Sequence, residues 1–116
     1  MHIKELQDKI DKFAKERDWD QFHSPKNLVM ALTSEVGELI EIFQWLTQEQ
    51  SKKENIDEIE NIKNEVADIF IYLLRFSDIL DIDLEEAVIK KMKMNADKYP
   101  IELSKGNATK YNKRDE

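Results

Sequence analysis

Residues 28–46 read LVMALTSEVGELIEIFQWL and residues 62–76 read IKNEVADIFIYLLRF, and the two stretches share one design. Each sets a carboxylate pair, Glu35-x-x-Glu38 or Glu65-x-x-Asp68, inside an apolar helical pattern. An i,i+3 spacing puts both members of a pair on one helix face. At about 100° per residue, Glu35 and Glu38 share their sector with Leu28, Ala31, Leu32, Leu39, Ile42 and Leu46. Glu65 and Asp68 share theirs with Ile62, Ile69, Tyr72 and Phe76. Four acids directed into an apolar seam do not stay ionised without a partner. The chain offers no matching set of bases there, so a divalent cation is the natural counter-charge. Four hard oxygen ligands with no His or Cys among them suit Mg²⁺ or Mn²⁺.

The flanking sequence supplies the rest of an all-α fold. Ile3, Leu6, Ile10 and Phe13 predict a first amphipathic helix of about four turns. Arg17 to His23 reads as a connector. Ser24 as N-cap with Pro25 at N1 starts a second helix, which runs to about Thr47. Gln48 to Asn55 is polar and reads as a loop, and a third helix spans about Ile56 to Ile79. Asp83, with Glu86 three residues on, opens a fourth helix that fades near Asp97. Helices two and three are long and joined by a short loop, so they should pack antiparallel and bring the acidic pairs level. Residues 1–104 are expected to form one domain and residues 105–116 a tail. Four helices bury such wide apolar stripes poorly alone, so a homo-oligomer, two-fold in the simplest case, is expected.

Composition narrows the function classes. The 116 residues carry 18 Lys+Arg against 25 Asp+Glu, a net charge of −7. An acidic surface argues against a nucleic-acid polymer as partner, because phosphate binding wants a basic stripe. It leaves room for a small phosphate ligand held through a metal. There is no Cys, which is compatible with a reducing compartment. The start, MHIKELQDKI, lacks the apolar core of a signal peptide, and no stretch approaches the roughly 20 apolar residues of a membrane span. A cytoplasmic protein without membrane contact is expected.

Other polar and aromatic residues have plainer readings. Glu58, Glu60, Glu85 and Glu86 read as solvated. Glu41 continues the acidic spacing but rotates off the seam, as a solvated acid or a further ligand. Lys63 and Arg75 read as ordinary surface cations. Trp45, Tyr72, Phe43 and Phe76 read as core or interface aromatics, His23 as a connector residue, and His2 as irrelevant. Gly37 costs about 1 kcal/mol of helix propensity relative to Ala. Close helix packing is the preferred account of it, and room for metal or phosphate the other.

Carboxylate-bound metals in helical bundles serve either redox or phosphoryl chemistry. Di-iron and di-manganese centres add Glu-x-x-His ligands, and no His stands in either pair here. Phosphoryl or nucleotidyl chemistry fits better, since the metal rather than a protein cation then meets the phosphates. A non-catalytic helical interaction module and a weak nucleotide sensor are the competing readings.

One resemblance sharpens this choice. The run Arg17-Asp18-Trp19-Asp20-Gln21-Phe22-His23-Ser24-Pro25-Lys26-Asn27-Leu28 is followed by Ser34-Glu35-Val36-Gly37-Glu38-Leu39 and Phe43-Gln44-Trp45. In the second half stand Glu65-Val66-Ala67-Asp68-Ile69-Phe70-Ile71-Tyr72-Leu73, Lys91-Met92, Asn95, Lys98-Tyr99-Pro100 and Lys105-Gly106-Asn107-Ala108 with Lys110-Tyr111. Together they resemble the all-α nucleoside triphosphate pyrophosphohydrolases of the MazG superfamily, and most of all the single-domain branch that includes dCTP pyrophosphatase. The resemblance implies a four-helix bundle-like MazG-type fold, dimeric or tetrameric. It implies Mg²⁺-dependent hydrolysis of a nucleoside triphosphate to monophosphate and pyrophosphate. Glu35, Glu38, Glu65 and Asp68 would be the metal-binding and catalytic acids. His23, Trp45, Tyr72 and Asn95 would meet the nucleoside, and Lys91, Lys98, Lys110 and Tyr111 the phosphates. Lys93, Met94, Ala96 and Asp97 differ from the basic run of the dCTP-specific enzymes, and the 47–57 loop is short. A deoxypyrimidine triphosphate is the first expected substrate and a modified nucleotide the second.

Overall fold

The computed structural model describes residues 2–113, and among them every regular element is helical. Five α-helices follow in order: α1 (Ile3–Glu16), α2 (Pro25–Phe43), α3 (Ile59–Ile79), α4 (Leu84–Lys98) and the short α5 (Ile101–Ser104). Single 3₁₀ turns cover Asp20–Phe22, Lys53–Asn55 and Tyr111–Lys113. The all-α reading therefore holds. The chain divides between Asp81 and Ile82 into two compact units.

In the first unit, α3 packs along α2 and, on another side, against α1. The register of α2 and α3 is antiparallel. Ile42 shares a cavity with Ile62, Glu38 meets Glu65, and Glu35 shares a cavity with Asp68. As the number rises along one helix it falls along the other. The fully apolar core is small: Ala14 from α1, Leu28 from α2 and Leu74 from α3. Buried Gln7 ties α1 to α3, its Nε2 donating to the Leu74 carbonyl at 3.1 Å.

Local signals set the helix starts. Ser24 Oγ accepts from the Asn27 amide at 3.2 Å with Pro25 at N1, as the sequence predicts. Helix α1 ends in a Schellman motif. The Trp19 and Asp18 amides donate to the Ala14 and Lys15 carbonyls, and Asp18 adopts φ +56°. That turn lays Trp19 edge-on against Phe13, 5.7 Å between ring centroids.

Two boundaries differ from expectation. Helix α2 stops at Phe43 rather than near Thr47, and α3 starts at Ile59 rather than Ile56. Thr47 and Gln50 cap one another, the Thr47 amide donating to Gln50 Oε1 and the Gln50 amide to Thr47 Oγ1. This reciprocal box opens a new turn and turns the chain away from the helix. Gly37 also departs from the packing account: a Cβ built there meets nothing within 4 Å.

The second unit holds α4, α5 and the last 3₁₀ turn. Asp83 Oδ1 accepts from the Glu86 amide at 3.0 Å, the N-cap the sequence predicts. Within this unit Lys98 lies over the Tyr111 ring, and Tyr99 meets Tyr111 edge-on.

Two substitutions test this packing by chemical denaturation. Leu74→Ala should destabilise by about 2–5 kcal/mol, because its side chain is fully buried. Gly37→Ala should stabilise by about 0.5–1 kcal/mol, since helix propensity improves and nothing is displaced.

Candidate metal centre

The antiparallel register brings three of the four seam acids together. Oxygen atoms of Glu35, Glu38 and Glu65 all lie within 4.8 Å of one another. Glu35 and Glu65 are half-buried and Glu38 is exposed. Asp68, one turn beyond Glu65, is exposed and stands outside this tight group. It lines a cavity beside Glu35, and its charge acts on both Glu35 and Glu65.

The cluster is electrostatically unsatisfied. Glu35 Oε2 and Glu65 Oε2 are sealed from solvent and make no hydrogen bond among the described residues. Burial, and then the carboxylates of Glu38 and Glu65, push Glu35 up to about 7. Burial, and then Glu38, push Glu65 up as well. Charge of one sign is concentrated where water is scarce. Such a group is relieved either by a proton or by a cation, and an all-oxygen donor set with two orphaned buried oxygens fits a hard divalent ion.

Two cavities flank the cluster. One of about 270 Å³ is walled by Ile10, Phe13, Ala14, Trp19, Ile71 and Tyr72, with His23, Glu35, Asp68 and Arg75 as its polar groups. The other, of about 370 Å³, is polar and is lined by Glu38, Glu41, Ile42, Glu58, Asn61, Asn64 and Glu65. The acids thus form the partition between an aromatic chamber and a polar one.

The sequence-expected ligand residues divide accordingly. His23 and Tyr72 line the aromatic chamber, whereas Trp45, just beyond α2, is 86% exposed and lines neither chamber. Lys91, Asn95 and Lys98 lie on α4, and Lys110 and Tyr111 follow α5, all in the second unit. Lys63 is a surface cation, paired with Glu60. Arg75 is not. It is 5% exposed and bonds both Asp11 and His23. Its periodic position on α3 gave no sign of this, because the partners come from α1 and the connector. Trp19 and Phe13 were also missed as chamber walls, because the Schellman turn that pairs them places Asp18, not a glycine, at positive φ and so carries no glycine signal.

The sequence model of the MazG-like family matches residues 30–113. The chain belongs to the MazG-like family. It is 45% identical over 101 residues to dCTP pyrophosphatase 1 of Mus musculus, covering 85% of this chain and 59% of that protein. To dCTP pyrophosphatase 1 of Homo sapiens it is 42% identical over the same shares of each chain. The chain therefore spans about three fifths of the length of these curated relatives. Its fold matches the crystal structure of a pyrophosphatase from Archaeoglobus fulgidus with a TM-score of 0.80 and 40% identity, over 86% of this chain and 94% of that one. The acid cluster thus sits within a MazG-like fold.

The raised Glu35 group fixes a sign for pH dependence. Its folded pKa, about 7, lies above its ordinary value of 4.5, so the metal-free native state binds more protons than the unfolded state between those limits. This contribution to stability should fall as pH rises from about 4.5 to about 7. A divalent cation should reverse the loss, raising Tm more at pH 7.5 than at pH 5. Glu35→Gln should raise the metal-free Tm at pH 7.5 and blunt the cation response. Thermal melts of both proteins, with cation and with EDTA, measure this directly.

Proposed function

We propose that this MazG-like protein hydrolyses a nucleoside triphosphate to the monophosphate and pyrophosphate, with Mg²⁺ held by Glu35, Glu38, Glu65 and Asp68; Mn²⁺ is the substitute. The observation that carries this reading is the acid cluster itself, with two sealed and unpaired oxygens, standing between an aromatic and a polar chamber. The bound cation would neutralise phosphate oxygens and lower the pKa of the attacking water. Water oxygen forms a bond to the α-phosphorus, the α–β bridging P–O bond breaks, and pyrophosphate leaves with that bridging oxygen. The acid that accepts the water's proton belongs to this set or is Glu41, which faces the polar chamber.

The two chambers suggest how the substrate lies. The aromatic side offers Phe13, Trp19 and Tyr72 to a base and sugar, with His23 as a polar contact. Its volume is somewhat below the roughly 300–1,000 Å³ of whole-ligand pockets, so it suits the nucleoside end alone. The polar side, with Asn61 and Asn64 as amide donors, then receives the departing phosphates. The names of the dCTP pyrophosphatase relatives favour a deoxypyrimidine triphosphate such as dCTP. A purely structural helical module has no use for sealed, unpaired carboxylate oxygens, which weighs against that alternative.

Lys91, Lys98 and Lys110, with Asn95 and Tyr111, are further proposed substrate contacts. Trp45 is retained in this role because its large exposed ring needs cover. Cover is also wanted by an apolar groove of about 470 Å³ between α1 and α3, lined by Leu6, Ile10, Phe13, Phe70, Ile71 and Leu74. These surfaces support a homo-oligomer. No helix among the described residues is long and apolar enough to cross a membrane, in keeping with nucleotide-pool clearance in the cytoplasm.

A panel of NTPs and dNTPs, assayed for pyrophosphate release with Mg²⁺ and with EDTA, tests the reading. Monophosphate and pyrophosphate should form only with Mg²⁺, and dCTP should rank high. Glu38→Gln should lower kcat at least 100-fold with an unchanged circular-dichroism spectrum. Turnover surviving in that variant would sink the site assignment.

A further inference from the structure

Arg75 is the one buried cation among the described residues, and its guanidinium spans two elements. Nη1 donates to Asp11 Oδ1 on α1 at 2.5 Å. Nε donates to His23 Nδ1, in the connector before α2, at 3.2 Å. Asp11 is itself held on its other oxygen by Lys15 at 3.0 Å. The fork geometry of a guanidinium fixes both directions at once.

The second contact has a chemical consequence. A guanidinium only donates, so His23 Nδ1 must accept through its lone pair. A neutral imidazole carries one N–H, and that proton must then sit on Nε2. Burial, and then the Arg75 charge, hold His23 below its ordinary pKa. His23 is bonded through Nδ1, and the ring lines the aromatic chamber with Glu35, Asp68 and Tyr72.

We infer that Arg75, anchored by Asp11, is a positioning residue that locks His23 as an Nε2–H donor for a hydrogen-bond acceptor on the bound nucleoside. The second half of this inference rests on the nucleotide reading above; the tautomer does not. The chamber's other polar lining residues in reach of a ligand include two acids, Glu35 and Asp68, which accept when ionised. A fixed donor among them distinguishes a carbonyl oxygen or bare ring nitrogen from an N–H at the same place. Without Arg75, both tautomers of His23 become accessible, and a fraction of the molecules would present a lone pair instead.

The test begins with ring-nitrogen NMR of the full chain, with His2→Gln assigning the two histidines. In the wild type, His23 should show Nε2 protonated and Nδ1 bare at pH 7.5. In Arg75→Met, Nδ1–H should become populated. Steady-state kinetics should then show KM raised about 5- to 10-fold with kcat nearly unchanged, the size of one neutral hydrogen bond. Arg75→Lys keeps the charge and the Asp11 pair but lacks the Nε–H, so it should shift tautomer and KM in the same direction. That variant serves if Arg75→Met fails to fold. A wild-type His23 protonated on Nδ1 would overturn the inference, as would substituted proteins with the wild-type tautomer and KM. Absence of nucleotide hydrolysis beside the Nε2–H tautomer would support the lock and overturn the pyrophosphatase reading instead.

Discussion

The mutual repulsion of carboxylates at the α2–α3 seam is the constraint on which this structure turns. Glu35, Glu38 and Glu65 crowd their oxygens within 4.8 Å, and two of those oxygens are sealed. The arrangement is unfavourable for the free chain. Only Ala14, Leu28 and Leu74 are fully buried apolar residues among those described. In a domain this lightly cored, whose net stability is a small difference between large terms, an unsatisfied acid cluster weighs heavily. Occupancy by a cation then couples directly to folding stability. Function and stability oppose one another at the same atoms, which is how a preorganised charge site is expected to behave.

The long antiparallel helices are what make such crowding possible. Each acid sits mid-helix, where neighbouring turns on both sides hold its backbone, so the pairs cannot relax apart without unpacking α2 from α3. The partition they form has unlike sides. The Schellman turn after α1 supplies Trp19 and Phe13 to one chamber, and the polar face of α3 supplies Asn61 and Asn64 to the other. A substrate with an apolar, stacking end and a charged end matches that asymmetry better than a uniform ligand does.

Much of this was legible in sequence because the signals are local or contradictory. Ser24-Pro25 and Asp83 mark helix starts through bonds to residues three positions away. The seam acids stand out because charge in an apolar stripe conflicts with burial, and the conflict needs a resolution. Where α2 ends was less legible, since Gln44 to Leu46 still fit the stripe while the Thr47–Gln50 box turns the chain. Gly37 suggested close packing, yet open space lies beside it. Arg75 was the clearest miss. A cation at a helical position reads as a surface residue, and only tertiary contact with Asp11 and His23 shows otherwise. Spacing also made Asp68 the equal of the other three acids, whereas side-chain reach sets it apart from the tight group.

Arg75 also bears on how unlike titrations coexist in one site. The half-buried acids Glu35 and Glu65 are driven toward protonation, and Glu35 is pushed up to about 7. An ordinary histidine titrates in the same range. If both changed charge together, the polarity of the chamber would invert across a narrow pH span. Burial and Arg75 move His23 downward while burial and like charge move Glu35 upward. The two groups are thereby moved in opposite directions. Asp11, lowered from its ordinary value by Arg75 and then Lys15, pairs with the guanidinium as a carboxylate. A neutral donor, an acid set that takes a cation or a proton, and a paired guanidinium behind them give the chamber a fixed pattern of donors and acceptors. That pattern, more than its modest volume, is what would let it select a nucleoside.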